Sequence, residues 1–249
     1  MKTMDLEKYV ADLQLSTSGA AYPARKSAGS LVTPNEEQSF LNDKSLVSFA
    51  SGVSGQRRKD VLNSVLLAQL AANKQFPDDA NILEWYKTFV KILNNLGWTI
   101  QAAEFSTFQA SADVFEVENA IIDILTKAFG GAFKTAITST LDAIKSLSDH
   151  DGKITAFEKN THSLSKGAFQ IALATEKDET VALQIGTFLL TSSNEIKKIL
   201  FFKSSKDKTK LEYCSREGTL VEEIYATVRS TITDKLGDKI NQFVAEIEI

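Results

Sequence analysis

The segment Val181–Thr191 carries no charged side chain, and Val181, Leu183, Ile185 and Leu189 alternate along it with Ala182, Gln184, Gly186, Phe188 and Leu190. Period two over that length predicts a β-strand. Because both faces are largely apolar, the strand needs cover on both sides, which a sheet open to water on one face would not require. Its neighbours extend the pattern. Phe169, Ile171 and Leu173 alternate with Gln170, Ala172 and Ala174, and a charged turn at Glu176–Glu179 joins this run to the next. Glu195–Lys203, with Ile-Leu-Phe-Phe at its centre, reads as a third strand, and the stretch holding Leu211 and Tyr213 as a fourth. Strands broken by polar turns in this way predict an antiparallel meander.

The cover comes from elsewhere in the chain. Val61, Leu62, Val65, Leu66 and Leu70 share one helical face, and Trp85, Tyr86, Phe89, Ile92 and Leu93 another. Phe76-Pro77 separates the two helices, Asp78 or Asp79 is placed to cap the second, and Gly97 to end it. A second helical hairpin spans Val114–Leu147, broken at Gly130-Gly131, with Asp113 and Glu116 spaced as a capping box. Thr219 and Glu222 repeat that spacing before a helix reaching Gly237, and Phe243–Ile249 alternates as a last strand. Leu46–Ala50 and Trp98–Phe108 read as further strands. The expected fold is α/β: a three-layer sandwich, its mainly antiparallel sheet covered by helical hairpins on both faces. Residues 1–42 read as a short helix followed by an irregular arm rich in Ser, Ala, Gly, Thr and Pro, and residues 43–249 as a single α/β domain.

Bulk properties exclude several function classes. A formal net charge of −4 argues against nucleic-acid binding, which draws on a basic footprint. The lone Cys214 forms no internal disulfide. The N-terminus lacks the apolar core of a signal peptide, and no run of about 18 apolar residues predicts a transmembrane helix. The expectation is a soluble protein that, if it leaves its cell, does so without an N-terminal signal. No acid–base pair or nucleophile motif stands out, so no enzyme activity and no cofactor are expected.

Three clusters invite chemistry. Asp149, Asp151 and Glu158 fall on calcium-loop positions, but the first ligand position is Leu147, which cannot coordinate a hard cation. An acidic turn is the plainer reading. Lys197, Lys198, Lys203, Lys206, Lys208 and Lys210 crowd one connection. They suit either contact with anionic lipid or the lysine decoration that blunts an exposed strand edge. Cys214 reads as a packed strand residue, with S-acylation as the sharper alternative.

The order of elements, the stretch Gly167–Thr175, Lys198-Ile-Leu-Phe-Phe202, the hairpin Val114–Leu147 and the helix Val61–Leu70 together resemble the Cyt-type δ-endotoxins and the related fungal volvatoxin. The likeness covers roughly Leu46–Leu236. Cys214 suggests a second resemblance, to Evf-like bacterial virulence factors that carry an acylated cysteine. The first resemblance implies a cytolysin that acts on membranes without a receptor protein. Membrane lipids are then the expected partner, with homo-oligomers a further candidate. The residues expected to touch the membrane are Val181, Leu183, Ile185, Phe188, Leu189, Ile199 and Phe201, with Lys197 and Lys198, once the helices of 114–147 detach. The competing reading is a non-enzymatic lipid-carrying, acyl-carrying or partner-binding protein, S-acylated at Cys214.

Overall fold

A computed structural model describes residues 5–23, 32–33, 36–78, 81–101, 104–148 and 150–248. Among these residues nine strands form, in chain order: β1 Gln38–Asn42, β2 Ser45–Phe49, β3 Ser106–Thr107, β4 Val114–Glu116, β5 Lys166–Lys177, β6 Thr180–Ser192, β7 Lys203–Ser205, β8 Thr209–Thr219 and β9 Val244–Ile247. The helices are α1 Leu6–Asp12, α2 Gly55–Gln75, α3 Ile82–Asn95, α4 Val117–Phe129, α5 Gly131–Ser146, α6 Gly152–Thr161, α7 Glu222–Leu236 and α8 Lys239–Phe243. Seven strands make one sheet in the order β3-β8-β6-β5-β2-β1-β9, and β4 pairs with β7 apart from it.

The centre of the sheet is the predicted meander. β5 and β6 pair antiparallel from Lys166↔Thr191 to Lys177↔Thr180, and β8 lies antiparallel along the other side of β6. The turn between β5 and β6 is Asp178-Glu179, with φ of 49° and 63°. Two left-handed residues in a two-residue loop match the twist of the flanking strands. The sheet is mainly antiparallel, with β2 running parallel to β5.

Helices cover both faces, as the apolar character of β6 demands. The front core joins α1, α2, α3 and α7 to Val47, Phe49, Ala172, Ala174, Val181, Leu183 and Ile185. The back core joins α4, α5 and α6 to Leu46, Phe169, Ile171, Leu173, Phe188 and Leu190. Strand alternation thus sorts adjacent side chains into separate cores. The fold is the three-layer α/β sandwich expected.

Several local expectations are corrected. Glu195–Phe202 forms no strand: it is an irregular loop that folds over the sheet end, burying Ile196, Ile199, Leu200 and Phe202. Ile199 fills the space at Gly167, where a Cβ would lie 2.3 Å from its Cδ1. The Trp98–Phe108 strand reduces to Ser106–Thr107 and a bridge from Trp98 to Leu220. Part of the segment read as an irregular arm is β1, which lies inside the sheet between β2 and β9, with all five residues buried. Neither capping box forms. Glu116 ends a strand and pairs with Lys203, while Glu222 pairs with Arg57 and Arg229. Asp78 offers its backbone carbonyl to Asn81, the residue preceding α3; Asp79 lies outside the described residues.

Candidate functional site

The two helix layers hold the sheet in different ways. In front, α2 is buried on nearly every side, and its polar residues bind the strands beneath. The fully buried Arg58 donates to the carbonyls of Val53, Ala50 and Glu36 and to Oε1 of Gln38. Burial pulls its pKa down, with the charge of Glu36 opposing. Asn42 donates to the carbonyl of Leu62 at 2.9 Å, and Gln69 returns a bond to the carbonyl of Asn42 at 2.9 Å. Helix α7 is fastened to α2 in turn. Arg229 grips the buried Asp60 through two 2.9 Å contacts, and the Tyr225 hydroxyl donates to the Asp60 carbonyl. Buried charge pairs and polar networks of this kind are costly to open once one partner is lost.

At the back, α4 and α5 rest on apolar contact. Among the described residues, one side-chain hydrogen-bonded link joins them to the seven-stranded sheet. The Thr140 hydroxyl lies 2.8 Å from that of Ser39 and 3.2 Å from that of Ser48. Because Thr140 donates to the Ala136 carbonyl, it can only accept within this cluster, in which the Ser39 and Ser48 hydroxyls also lie 2.8 Å apart. Three further buried hydroxyls among the described residues have no partner: Thr126 on α4, Thr138 on α5 and Ser215 on β8. Ser215 faces the back, since Cys214 belongs to the front core and Gly186, against which Leu125 of α4 packs, is its cross-strand partner. An unpaired buried hydroxyl costs about 1–3 kcal/mol.

The residues expected to meet a membrane divide among three places. Val181, Leu183 and Ile185 face front, under α2, α3 and α7. Leu189 lies on the same face, beside Ile82 and Tyr86 of α3. Phe188 faces back and stacks on Phe169, with ring centroids 5.1 Å apart. Ile199 and Phe201 belong to the loop, not to a strand; Lys145 stands 5.6 Å over the Phe201 ring. Lys197 and Lys198 are exposed on that loop. Detachment of 114–147 would thus release Phe188 of the strand set, but leave Val181, Leu183, Ile185 and Leu189 covered. The same back core also holds Phe169, Ile171, Leu173 and Leu190, to which α6 and the 193–202 loop contribute cover besides α4 and α5.

The other candidates have structural occupations. Asp151 caps α6 by accepting from the Lys153 backbone. Glu158 accepts from the Ile199 backbone at 2.8 Å and lies 2.8 Å from His162 Nε2. Asp149 lies outside the described residues. Lys203, Lys206 and Lys210 pair with Glu116, Asp113 and Glu212. Cys214 is buried against the front layer. Burial raises its thiol pKa, against hydrogen bonds with Tyr86 and Thr187.

Sequence reasoning missed the Ser39–Ser48–Thr140 cluster and the buried Arg58. No short-range pattern announces the first. For the second, an apolar stretch extending around the helix from Val61 to Ala72 was a usable signal, since a helix apolar on all sides is a buried one.

No protein-family profile matches the chain, and no curated protein matches it in sequence. Solved structures similar to it include the following three. The Evf virulence factor shares 13% identity over 96% of this chain and 89% of its own, with a TM-score of 0.41. A delta-endotoxin shares 14% over 83% of this chain and 96% of its own, with a TM-score of 0.43. Activated Cyt2Ba monomer from Bacillus thuringiensis subsp. israelensis shares 12% over 54% of this chain and 79% of its own, with a TM-score of 0.33. These are the families that the sequence resembles.

Proposed function

We propose that the protein is a membrane-active cytolysin-like toxin or virulence factor whose α4–α5 hairpin lifts to place the back of the sheet against a lipid bilayer. The observation that carries this reading is the unequal fastening of the two helix layers. The front layer is tied down by buried Arg58, Asn42, Gln69 and Asp60, whereas among the described residues a single side-chain hydrogen-bonded link, at Thr140, joins the α4–α5 hairpin to the seven-stranded sheet.

Opening removes the α4–α5 cover from the back core that holds Phe169, Ile171, Leu173, Phe188 and Leu190, leaving α6 and the 193–202 loop in place, while the paired backbone of β5, β6 and β8 stays satisfied. A sheet whose central hydrogen bonds are intact can enter an apolar phase at low backbone cost. Charge sets how far it enters. β5 is uncharged from Gly167 to Thr175 and β6 throughout, but β8 carries Lys210, Glu212, Arg216 and Glu217. Burial of one face at the lipid interface fits this distribution better than threading every strand across the bilayer. Lipid is the partner, no cofactor is needed and no enzyme chemistry is invoked.

A covalent latch tests the reading. In Ser39→Cys/Thr140→Cys the two thiols replace hydroxyls 2.8 Å apart, within reach of a disulfide. The oxidised variant should leave dye-loaded vesicles intact, and reduction should restore the release seen with the parent chain. Restored release shows that the latched protein was folded. Equal release with the latch closed would refute lid opening.

A further inference from the structure

Two surface grooves lie near the end of the sheet where β5 begins. One, of about 640 Å³, lies between α6 and the 193–202 loop, with Lys159, Lys197 and Lys198 along it and Leu164 at its side. The other, of about 220 Å³, runs between the start of α3 and the start of β5 and includes Leu83 and Lys166. Leu164 is 71% exposed and Leu83 51%. Exposed single leucines are ordinary, but Leu164 shares its groove with three lysines, while Leu83 shares its own with Lys166 and Glu212.

Of the carboxylates at this end, Glu158 is engaged by His162 and the Ile199 backbone and Glu212 by Lys210, while Glu195 stands 3.8 Å from Lys197 and offsets part of its charge, and Asp207 is exposed. The opposite end of the β5–β6 hairpin has the reverse sign, with Glu176, Asp178 and Glu179 against Lys177. Strand rise puts the two ends roughly 35 Å apart. For a chain of formal charge −4, this polarity makes one approach to a negative surface favourable and the reverse unfavourable.

We infer that this lysine-and-leucine end is where the protein docks on bilayers bearing anionic phospholipid, before the back layer opens. Leu164 and Leu83 enter at headgroup depth, and Lys159, Lys166, Lys197 and Lys198 lie over the phosphates, their stems on apolar surface and their ammonium groups in water. The inference rests on the membrane reading above and adds to it the lipid class and the orientation of the first contact.

The test uses the full chain on vesicles of phosphatidylcholine alone or mixed with phosphatidylglycerol. Partitioning onto the mixed vesicles should fall about fivefold for each lysine neutralised, so roughly thirtyfold for Lys159→Gln/Lys197→Gln. Lys177→Gln, at the far end, should not lower it. A polarity-sensitive dye on Leu164→Cys should blue-shift on binding, and the same dye on Asp178→Cys should not. If the parent chain neither binds nor permeabilises any vesicle, the membrane reading itself fails. If it permeabilises them while Lys159→Gln/Lys197→Gln binds as well as the parent and the Leu164 dye stays in water, only the docking inference fails. A parent chain that dimerises in solution through this end, and is made monomeric by Leu164→Ser, would also overturn it.

Discussion

Leu125 of α4 rests on Gly186 of β6 so closely that a Cβ at Gly186 would stand 2.5 Å from Leu125 Cδ2. The same Cβ would lie 3.0 Å from Phe188 Cε2, so the Leu125 side chain, or α4 with it, has to shift away from the sheet. Gly186→Ala should therefore push the back layer outward. Overpacking of this kind costs about 1–3 kcal/mol. Urea unfolding should show that loss, and dye release should become faster than with the parent chain. Slower release at reduced stability would contradict the proposed direction of opening.

Cys214 reports which layer moves. It is buried under the front helices, and burial holds its thiol in the protonated, unreactive form. In solution a soluble disulfide reagent should modify it only after denaturation. If α4–α5 opens and the front stays closed, the thiol should remain protected on vesicles. Rapid modification on vesicles would mean that the front layer lifts instead.

His162 links stability to pH. Burial lowers its pKa, but the Glu158 contact, the Ser163 carbonyl and the Glu158 charge outweigh this, so the folded value lies above 6.5. A group raised on folding stabilises fully below its unfolded pKa, and that contribution is lost as pH rises through the folded pKa. The parent chain should lose this increment on passing upward from about pH 6.5. His162→Gln should lack that part of the slope in urea titrations run across the range. An unchanged slope would show that the Glu158 contact does not hold the ring in solution.

Arg58 is the strongest test of the front layer. Arg58→Met keeps much of the volume but leaves the carbonyls of Val53, Ala50 and Glu36 and Oε1 of Gln38 without this donor. Stability should fall by about 1–3 kcal/mol in equilibrium unfolding, the range for leaving a buried polar group without its partner. A loss under about 1 kcal/mol would place the fastening of α2 elsewhere.

Much of the architecture is legible in local pattern because β5 and β6 are long and nearly bare of charge, and because α3, α4 and α5 each keep one apolar stripe. The same reasoning fails where distant contacts decide. Ile199 and Phe202 carry the composition of a strand, yet their burial comes from a loop closing over Gly167 and α6. Phe40 and Leu41 sit in a strand buried on both faces, so no polar alternation marks it among the polar residues around it. Glu116 and Glu222 have capping spacing, but lysine and arginine from other elements claim their carboxylates. For the candidate site, the greasy strands are visible in the sequence, while the division of their side chains between a fastened and a loosely held layer is not. That division depends on Ser39, Ser48 and Thr140, with the serines about a hundred positions from the threonine and nothing local to tie them together.

The place of β1 has a consequence for how the chain is made. Its inner neighbour β2 follows at once, but its other edge is completed by β9, some two hundred residues later. β2 likewise waits for β5 to supply its parallel partner. While the ribosome is still translating the middle of the message, the first hairpin has two unpaired edges and nothing to close them. Non-local pairing of this kind slows assembly, so the nascent chain must pass through a stage at which chaperones or stray strands can claim those edges first.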